Sequence, residues 1–292
     1  MRLRKIAWAA TLSAFLCLGA PAQTERRKGP IIRQVDHILI ESDDPESLFN
    51  LFAATLLLPE AWPVTDSQGF VSGGVGAGNA NIEFFRYATQ KNAPKRKAAQ
   101  AHYAGIAFEP YPLSNSLREM QVEGILYSPP QPYMSILPKG TQGVAWTTVA
   151  LPSYSKAGMS IFLYEYSLEF LKVDVRRKQL GNRLLLNGGG PLGIQSLREI
   201  IIEASSLEKG LSEWRKLLGS PASSGLWQAG GGPAIRIVKG SQDRIQGMVF
   251  RVESLDRAKS YLREKQMLGL ETSREASIKP SKVQGLLIRL AE

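Results

Sequence analysis

Only two histidines occur in the 292-residue chain, His37 and His102. His37 stands at the head of an apolar strand-like run, "HILI", so its imidazole borders positions that a core would claim. Two carboxylates keep similar company. Glu83 lies in "NIEFF" among Ile82, Phe84 and Phe85, and Glu165 lies in "FLYEY" between Tyr164 and Tyr166. Burying a carboxylate in such surroundings is expensive unless it is paired or bound to a metal. Imidazole and carboxylate together suit zinc, iron, nickel or manganese, and a divalent ion with open positions supports Lewis-acid or redox chemistry. Each residue also has a plainer use: His37 can bond Asp36, Glu83 can pair with Arg86, and Glu165 can be the polar residue of an edge strand. Other chemistries find less support. Neither histidine accompanies a nucleophile-elbow serine. "SGGVGAGN" (72–79) lacks the helix and the Lys-Ser/Thr ending of a nucleotide loop, and reads as a glycine-rich strand turn.

The elements that must position these residues follow a repeated pattern. "DHILIESDDPESLFNLFAATLLLP" (36–59) matches "REIIIEASSLEKGLSEWRKLLGSP" (198–221): an apolar strand, an acidic or serine turn, then a helix. Leu48, Leu51, Phe52 and Thr55 recur at helical spacing, as do Leu207, Leu211, Trp214 and Leu218. Ser42, Asp43 and Asp44 before Pro45 are suited to cap the first helix, and Gly219 to end the later one. A second pair matches too, "GIAFEPYPLSNSLREMQVEGI" (105–125) with "GMVFRVESLDRAKSYLREKQMLG" (247–269), followed by "IFLYEY" (161–166) and "LLIRLA" (286–291). The chain therefore reads as strand, helix and three strands, four times over, with some later strands weakly marked. A unit of one helix and a small curved sheet leaves its concave face open, and pairing two units closes a cup lined by alternate strand residues.

These βαβββ pairs, with the "DHILIES" opening and the "NIEFF" strand, resemble the vicinal oxygen chelate superfamily of glyoxalases, bleomycin-resistance proteins and extradiol dioxygenases, most nearly its glyoxalase-like domains. The fold this implies is α+β: tandem vicinal oxygen chelate domains made of four βαβββ units, each pair forming a curved-sheet cup. The first domain would span 33–170, a linker 171–193, and a degenerate second domain 194–292. The resemblance implies a divalent metal in the first cup held by His37, Glu83 and Glu165, with His102 reaching it if a bulge precedes Gly105, the position where the family usually has histidine or glutamine. Glu83 or Glu165, released from the metal, would move a proton. The implied function is a metal-dependent lyase/isomerase or dioxygenase acting on a small oxygen-chelating substrate. The alternative is a metal-free binding or sequestering protein of bleomycin-resistance type, with Tyr103, Trp146, Tyr164 and Tyr166 as stacking surfaces. In the later units Glu199, Arg236 and Arg289 fall where His37, Glu83 and Glu165 stand. Arginine is not a metal ligand, so the second cup is expected to be structural, with an anion-binding pocket as the alternative.

The remaining features bound the setting. Residues 1–22 carry Arg2, Arg4 and Lys5, an apolar run of 13 residues from Ile6 to Leu18, and an Ala20-Pro21-Ala22 ending. That is the form of a cleavable signal peptide cut after Ala22, followed by a tail over 23–32. The run is short against the roughly 20 residues that span a bilayer. Export to a periplasm or beyond is the expectation, with no transmembrane segment after cleavage. Cys17 is the only cysteine and leaves with the signal, so packing alone must hold the fold. Losing three basic residues lowers the formal charge from +10 to +7. Basic clusters at 25–29, 90–98 and 175–179 lack interleaved aromatics, which argues against nucleic acid as partner and leaves a small molecule.

Overall fold

The computed structural model describes residues 30–67, 69–87, 99–156 and 158–292. The signal-like segment, most of the tail and the basic stretch 90–98 lie outside them. The first half of the described chain runs β1 (Ile32–Ser42), α1 (Pro45–Asn50), β2 (Glu60–Ser67), β3 (Phe70–Gly76), β4 (Asn81–Tyr87), β5 (Ala101–Pro110), α2 (Leu113–Val122), β6 (Gln131–Ile136), β7 (Gln142–Ala150) and β8 (Ser160–Tyr166). After α3 (Val173–Leu186) come β9 (Ile194–Ala204), α4 (Leu207–Leu218), β10 (Leu226–Gln228), β11 (Ala234–Lys239), β12 (Arg244–Val252), α5 (Leu255–Glu264), β13 (Leu268–Glu271), β14 (Glu275–Ile278) and β15 (Ile288–Ala291). None of the described helices is long and apolar enough to cross a membrane.

The strands form two curved mixed sheets. The first has eight strands in the order β2-β3-β4-β1-β5-β8-β7-β6, and the second has seven in the order β10-β11-β9-β12-β15-β14-β13. Both are built around an antiparallel central pair, β1 with β5 and β9 with β12, each flanked by a parallel neighbour. Three of the four runs place three strands after their helix. The run from β9 has only two, β10 and β11, because the short piece around Leu226 is the sole strand between α4 and β11.

Local chemistry accounts for the helix starts. The Asp44 carboxylate accepts a bond from the Ser47 amide at 3.0 Å and Pro45 opens α1, so the cap and first-turn residues act together. The helix loosens into a single π turn over Leu51–Thr55, with Phe52 fully buried. α4 buries Trp214 and Leu217 and stops at Gly219, whose φ of 78° suits glycine.

Period-two alternation divides each strand between two environments. Ile38, Ile40, Ile82, Phe84, Ile106, Phe108, Ile161 and Leu163 face the helices from the first sheet, and Ile200, Ile202, Ile235, Met248, Phe250, Ile288 and Leu290 do so from the second. All belong to one continuous apolar cluster. Its bridging contacts include Phe108 and Tyr154 against Trp214, with ring centroids 6.3 and 5.5 Å apart. The opposite, concave faces carry the polar residues.

Candidate functional site on the concave face of the first sheet

A β-bulge in the central pair creates the site. Val35 stands opposite Phe108 and His37 opposite Ala107, so Asp36 is an extra residue on β1. Consecutive side chains of a regular strand point to opposite faces; a bulge lets neighbours share one. Asp36 and His37 are both buried, at 1% and 4% exposure, and lie side by side. His37 Nδ1 is 2.6 Å from Asp36 Oδ2, and its Nε2 is 3.4 Å from Glu83 Oε2. Glu83 in turn accepts from Ser72 Oγ at 2.6 Å, and Ser72 accepts from Trp62 Nε1 at 3.2 Å. The Trp62 ring lies directly over Gly74, where any Cβ would come within 2.4 Å of it. Burial by itself lowers the His37 pKa, but the Asp36 hydrogen bond and the charges of Asp36 and Glu83 outweigh it and raise the pKa above 6.5. The chain Asp36, His37, Glu83 can thus hold a proton and pass it between imidazole and carboxylate.

Helix α3 closes one end of this face. Arg177 donates to Glu109 Oε2 at 2.8 Å and to Asp36 Oδ1 at 3.3 Å, and pairs with Asp174 at 3.2 Å. Glu109 also accepts from Arg33 at 3.0 Å and from Gln34 at 2.8 Å. Arg176 donates to the Ala61 carbonyl at 2.7 Å, and Leu180 sits against Gly76, where a Cβ would be 2.9 Å from its own. The basic stretch expected to be a connection therefore contains an ordered helix whose cations neutralise Asp36 and Glu109.

Aromatic rings cross the same face. Tyr133 stacks on Trp146 at 4.2 Å, Trp146 on Tyr164 at 5.7 Å, and Tyr164 meets His37 edge-on at 5.3 Å. Phe162 and Trp62 complete the surroundings of the imidazole at 6.2 and 6.4 Å. Tyr166 joins Tyr164 at 4.9 Å, and burial raises the pKa of both hydroxyls well above the ordinary tyrosine value. Beyond His37 the face opens into a trough of about 460 Å³ lined by Leu39, Glu41, Phe85, Tyr87, Ala104 and Phe162, among others. That volume falls in the range of small-molecule pockets.

The expected site residues divide on inspection. His37 and Glu83 come together; Trp146, Tyr164 and Tyr166 stand on the concave face beside them. Glu165 does not. In β8, Phe162, Tyr164 and Tyr166 take the concave positions, so Glu165 points to the helix side, where its Oε1 accepts from the Leu113 amide at the start of α2 at 2.7 Å. Tyr103 is also corrected: it is buried on the far side of β5, and its hydroxyl donates to the Leu287 carbonyl, just before β15, at 2.8 Å. The anticipated bulge before Gly105 exists, since Leu39 faces Gly105 while Ile40 faces Tyr103. It brings His102 opposite Glu41, 3.4 Å from its carboxylate, on the concave side but exposed. Glu41 is four residues from His37, about 13 Å along an extended strand, too far to share an ion.

Strand register identifies what stands at the other expected positions. His37 pairs with Asn81 and Glu83 lies two residues further along β4; Gly105 pairs with Ser160 and Phe162 lies two residues further along β8. The second half of the cup thus offers glycine and phenylalanine where donors were expected. A Cβ at 105 would lie 2.3 Å from the Ser160 carbonyl oxygen, so no side chain fits there in this backbone. Among the described residues no group of three His, Cys, Asp or Glu side chains is placed to hold a metal ion. The donor set does not fit one. Asp36 was anticipated as a partner of His37, and the bond is present; Glu109 and Arg177 were missed in the sequence, because the reach of α3 has no local signature.

No family model matches the chain, and no curated protein sequence does. Solved structures do. The homoprotocatechuate 2,3-dioxygenase of Brevibacterium fuscum, in its anaerobic complex with 3,4-dihydroxyphenylacetate, superposes with a TM-score of 0.54 at 11% identity, covering 90% of this chain and 81% of that one. The fold is dioxygenase-like. The Arthrobacter globiformis enzyme gives 0.55 at 11% identity, with 90% and 80% covered. At such identity the likeness is one of fold.

Proposed function

We propose that this protein binds a small planar or aromatic molecule in the trough of the first sheet without a metal ion. The observation that carries this reading is the register just described: two donors, His37 and Glu83, face Gly105 and Phe162. Catalytic metal sites use three or more protein ligands, and neither of the other two positions supplies one. Phe85, Tyr87 and Phe162 line the trough and support an aromatic ligand, which can stack on them offset or edge-on. Glu41, Thr148, Ser155 and Ser160 line the same trough and offer polar contacts. On the same reading the chain is a tandem of two vicinal-oxygen-chelate-type domains, 33–170 and 194–292, joined through 171–193 and exported by the segment 1–22. The metal-dependent lyase, isomerase or dioxygenase is the competing reading.

One experiment separates them. Protein purified without chelator is assayed for transition metal, then titrated with 3,4-dihydroxyphenylacetate, the compound bound by the B. fuscum enzyme, following Trp62 and Trp146 fluorescence with and without EDTA. Metal below about a tenth of an equivalent after reloading, and quenching indifferent to EDTA, is expected, since a two-donor site binds ions weakly. Stoichiometric metal that disappears in His37→Ala overturns the reading in favour of the enzyme. Saturable quenching that survives Tyr87→Ala and Phe162→Ala together overturns the location of the ligand.

A further inference from the structure

Among the described residues the first sheet ends in two open edges, β2 and β6, and they are guarded differently. β2 carries Glu60, Pro63 and Asp66, the charges and proline that keep an exposed edge from pairing. β6, "QPYMSI", carries no charge. The edges of the second sheet are shorter: β10 has three residues, and β13 has four and ends on Glu271. β6 is thus the longest uncharged edge among the described residues. Its side chains are exposed as well, Tyr133 at 51%, Met134 at 49% and Ile136 at 65%, with Val144 of β7 beside them at 37%.

Backbone direction shows what this edge offers. Just past β6 the Leu137 N–H donates toward β7, to the Thr141 carbonyl at 2.8 Å. Alternate residues of an antiparallel strand turn their N–H and C=O groups to opposite sides. Ser135 and Tyr133 therefore bond toward β7, while Ile136, Met134 and Pro132 face outward. Pro132 has no N–H to leave unpaired there, the position an edge allows it. Met134 and Ile136 each present a donor and an acceptor to solvent, and Val144, the register partner of Met134, shares their face of the sheet.

We infer that β6 pairs antiparallel with β6 of a second copy of this chain, Met134 opposite Ile136 of the second copy, around a two-fold axis at Ser135. Each of these facing pairs exchanges both main-chain bonds. The register is self-complementary, so the assembly closes as a dimer. Met134, Ile136 and Val144 of each copy then cover those of the other. With Tyr133 they expose on the order of 400 Å² of largely apolar surface per copy, about 800 Å² for the pair, the size of a weak interface. Pro132 and Pro138 end the ladder on either side, and the dimer is expected to dissociate with a Kd of about 10 μM.

Sedimentation of the purified protein between about 1 and 300 μM tests this. A monomer–dimer equilibrium is expected. Met134→Lys and Met134→Pro should each weaken it at least about tenfold; the second removes the outward donor and no bond to β7. Leu270→Lys, on the edge strand β13 and 87% exposed, should change nothing. Facing residues that exchange no bonds lie about 4.5 Å apart, within disulfide range. Ser135→Cys, combined with Cys17→Ser, should therefore oxidise to a covalent dimer much faster than Leu270→Cys in the same background. A monomer at every concentration, species that grow beyond the dimer, equal weakening by Leu270→Lys, or equal cross-linking of the two variants overturns the inference.

Discussion

His37 is held between two carboxylates, and burial, which alone favours the neutral ring, is outweighed by the Asp36 bond and the charges of Asp36 and Glu83. A group whose pKa is raised on folding contributes stability in full below its unfolded value and loses it as pH climbs through the folded value. His37 therefore stabilises the protein below about pH 6.5, and the benefit fades at more alkaline pH. His37→Asn should flatten the fall in stability between about pH 5.5 and 9, measured by urea unfolding; parallel curves would show that the imidazole is not linked to folding. Glu199 gives the opposite sign. Its hydrogen bonds to Arg236 lower its pKa against the pull of burial, helped by the charges of Arg236, Arg198 and Arg289. The stability it contributes is present above about pH 4.5 and is lost as pH falls through the folded value, so Glu199→Gln should reduce acid sensitivity in the same assay. At this scale the sequence revealed His37 and Glu83 through their apolar neighbours. It misassigned Glu165 because "FLYEY" alternates aromatic and other residues on two covered faces, and a one-residue choice of face inverts every side chain.

Among the elements, α3 shows where pattern reading stops. Only Leu180 and Leu184 of its fourteen residues are buried, while Val175, Leu185 and Leu186 are exposed. No apolar stripe announces it, because charged bonds rather than a stripe hold it down. Removing one partner from a buried charge network leaves the others uncompensated and costs about 3 kcal/mol. Arg177→Ala should lower stability by that order, since Asp36 and Glu109 are nearly inaccessible. It should also expose Arg176 and Lys178 to trypsin faster than in the wild type. Unchanged protection would mean that Leu180 and the Arg176 bond to Ala61 suffice. The strands were far more legible: "NIEFF", "GIAF", "GMVF" and "LLIRLA" alternate cleanly, and Asp44 caps the helix that its position suggested. The two-strand tail of the run from β9 was legible only as weak marking, since three residues make a strand with little pattern to read.

At the scale of the molecule, two sheets share one apolar cluster. Phe108 and Tyr154 lean on Trp214 of α4, and Tyr103 reaches the Leu287 carbonyl just before β15, so the first sheet is completed by residues of the second half of the chain. The whole chain should unfold in one cooperative transition by fluorescence and circular dichroism. A fragment of residues 30–170, which leaves Phe108 and Tyr154 without Trp214, should lack a sharp transition and bind hydrophobic dye. A fragment that melts cooperatively would establish independence of the halves. The repeat made the paired sheets readable from sequence, because matching strands and helices recur in order. Their shared core was not readable, since each half alone carries enough apolar residues to suggest a complete one.

The close approach of the Ser160 carbonyl to Gly105 has a bearing on engineering. Gly105→His with Phe162→Glu would place the donors that register identifies, yet the imidazole would have to enter through backbone already in contact. The double variant should lose stability, with overpacking of this kind costing about 1 to 3 kcal/mol, and retain no more metal than the parent. In sequence space a metal centre lies across a barrier from this protein, not one substitution away, because β5 and β8 would have to part before the ligand could enter.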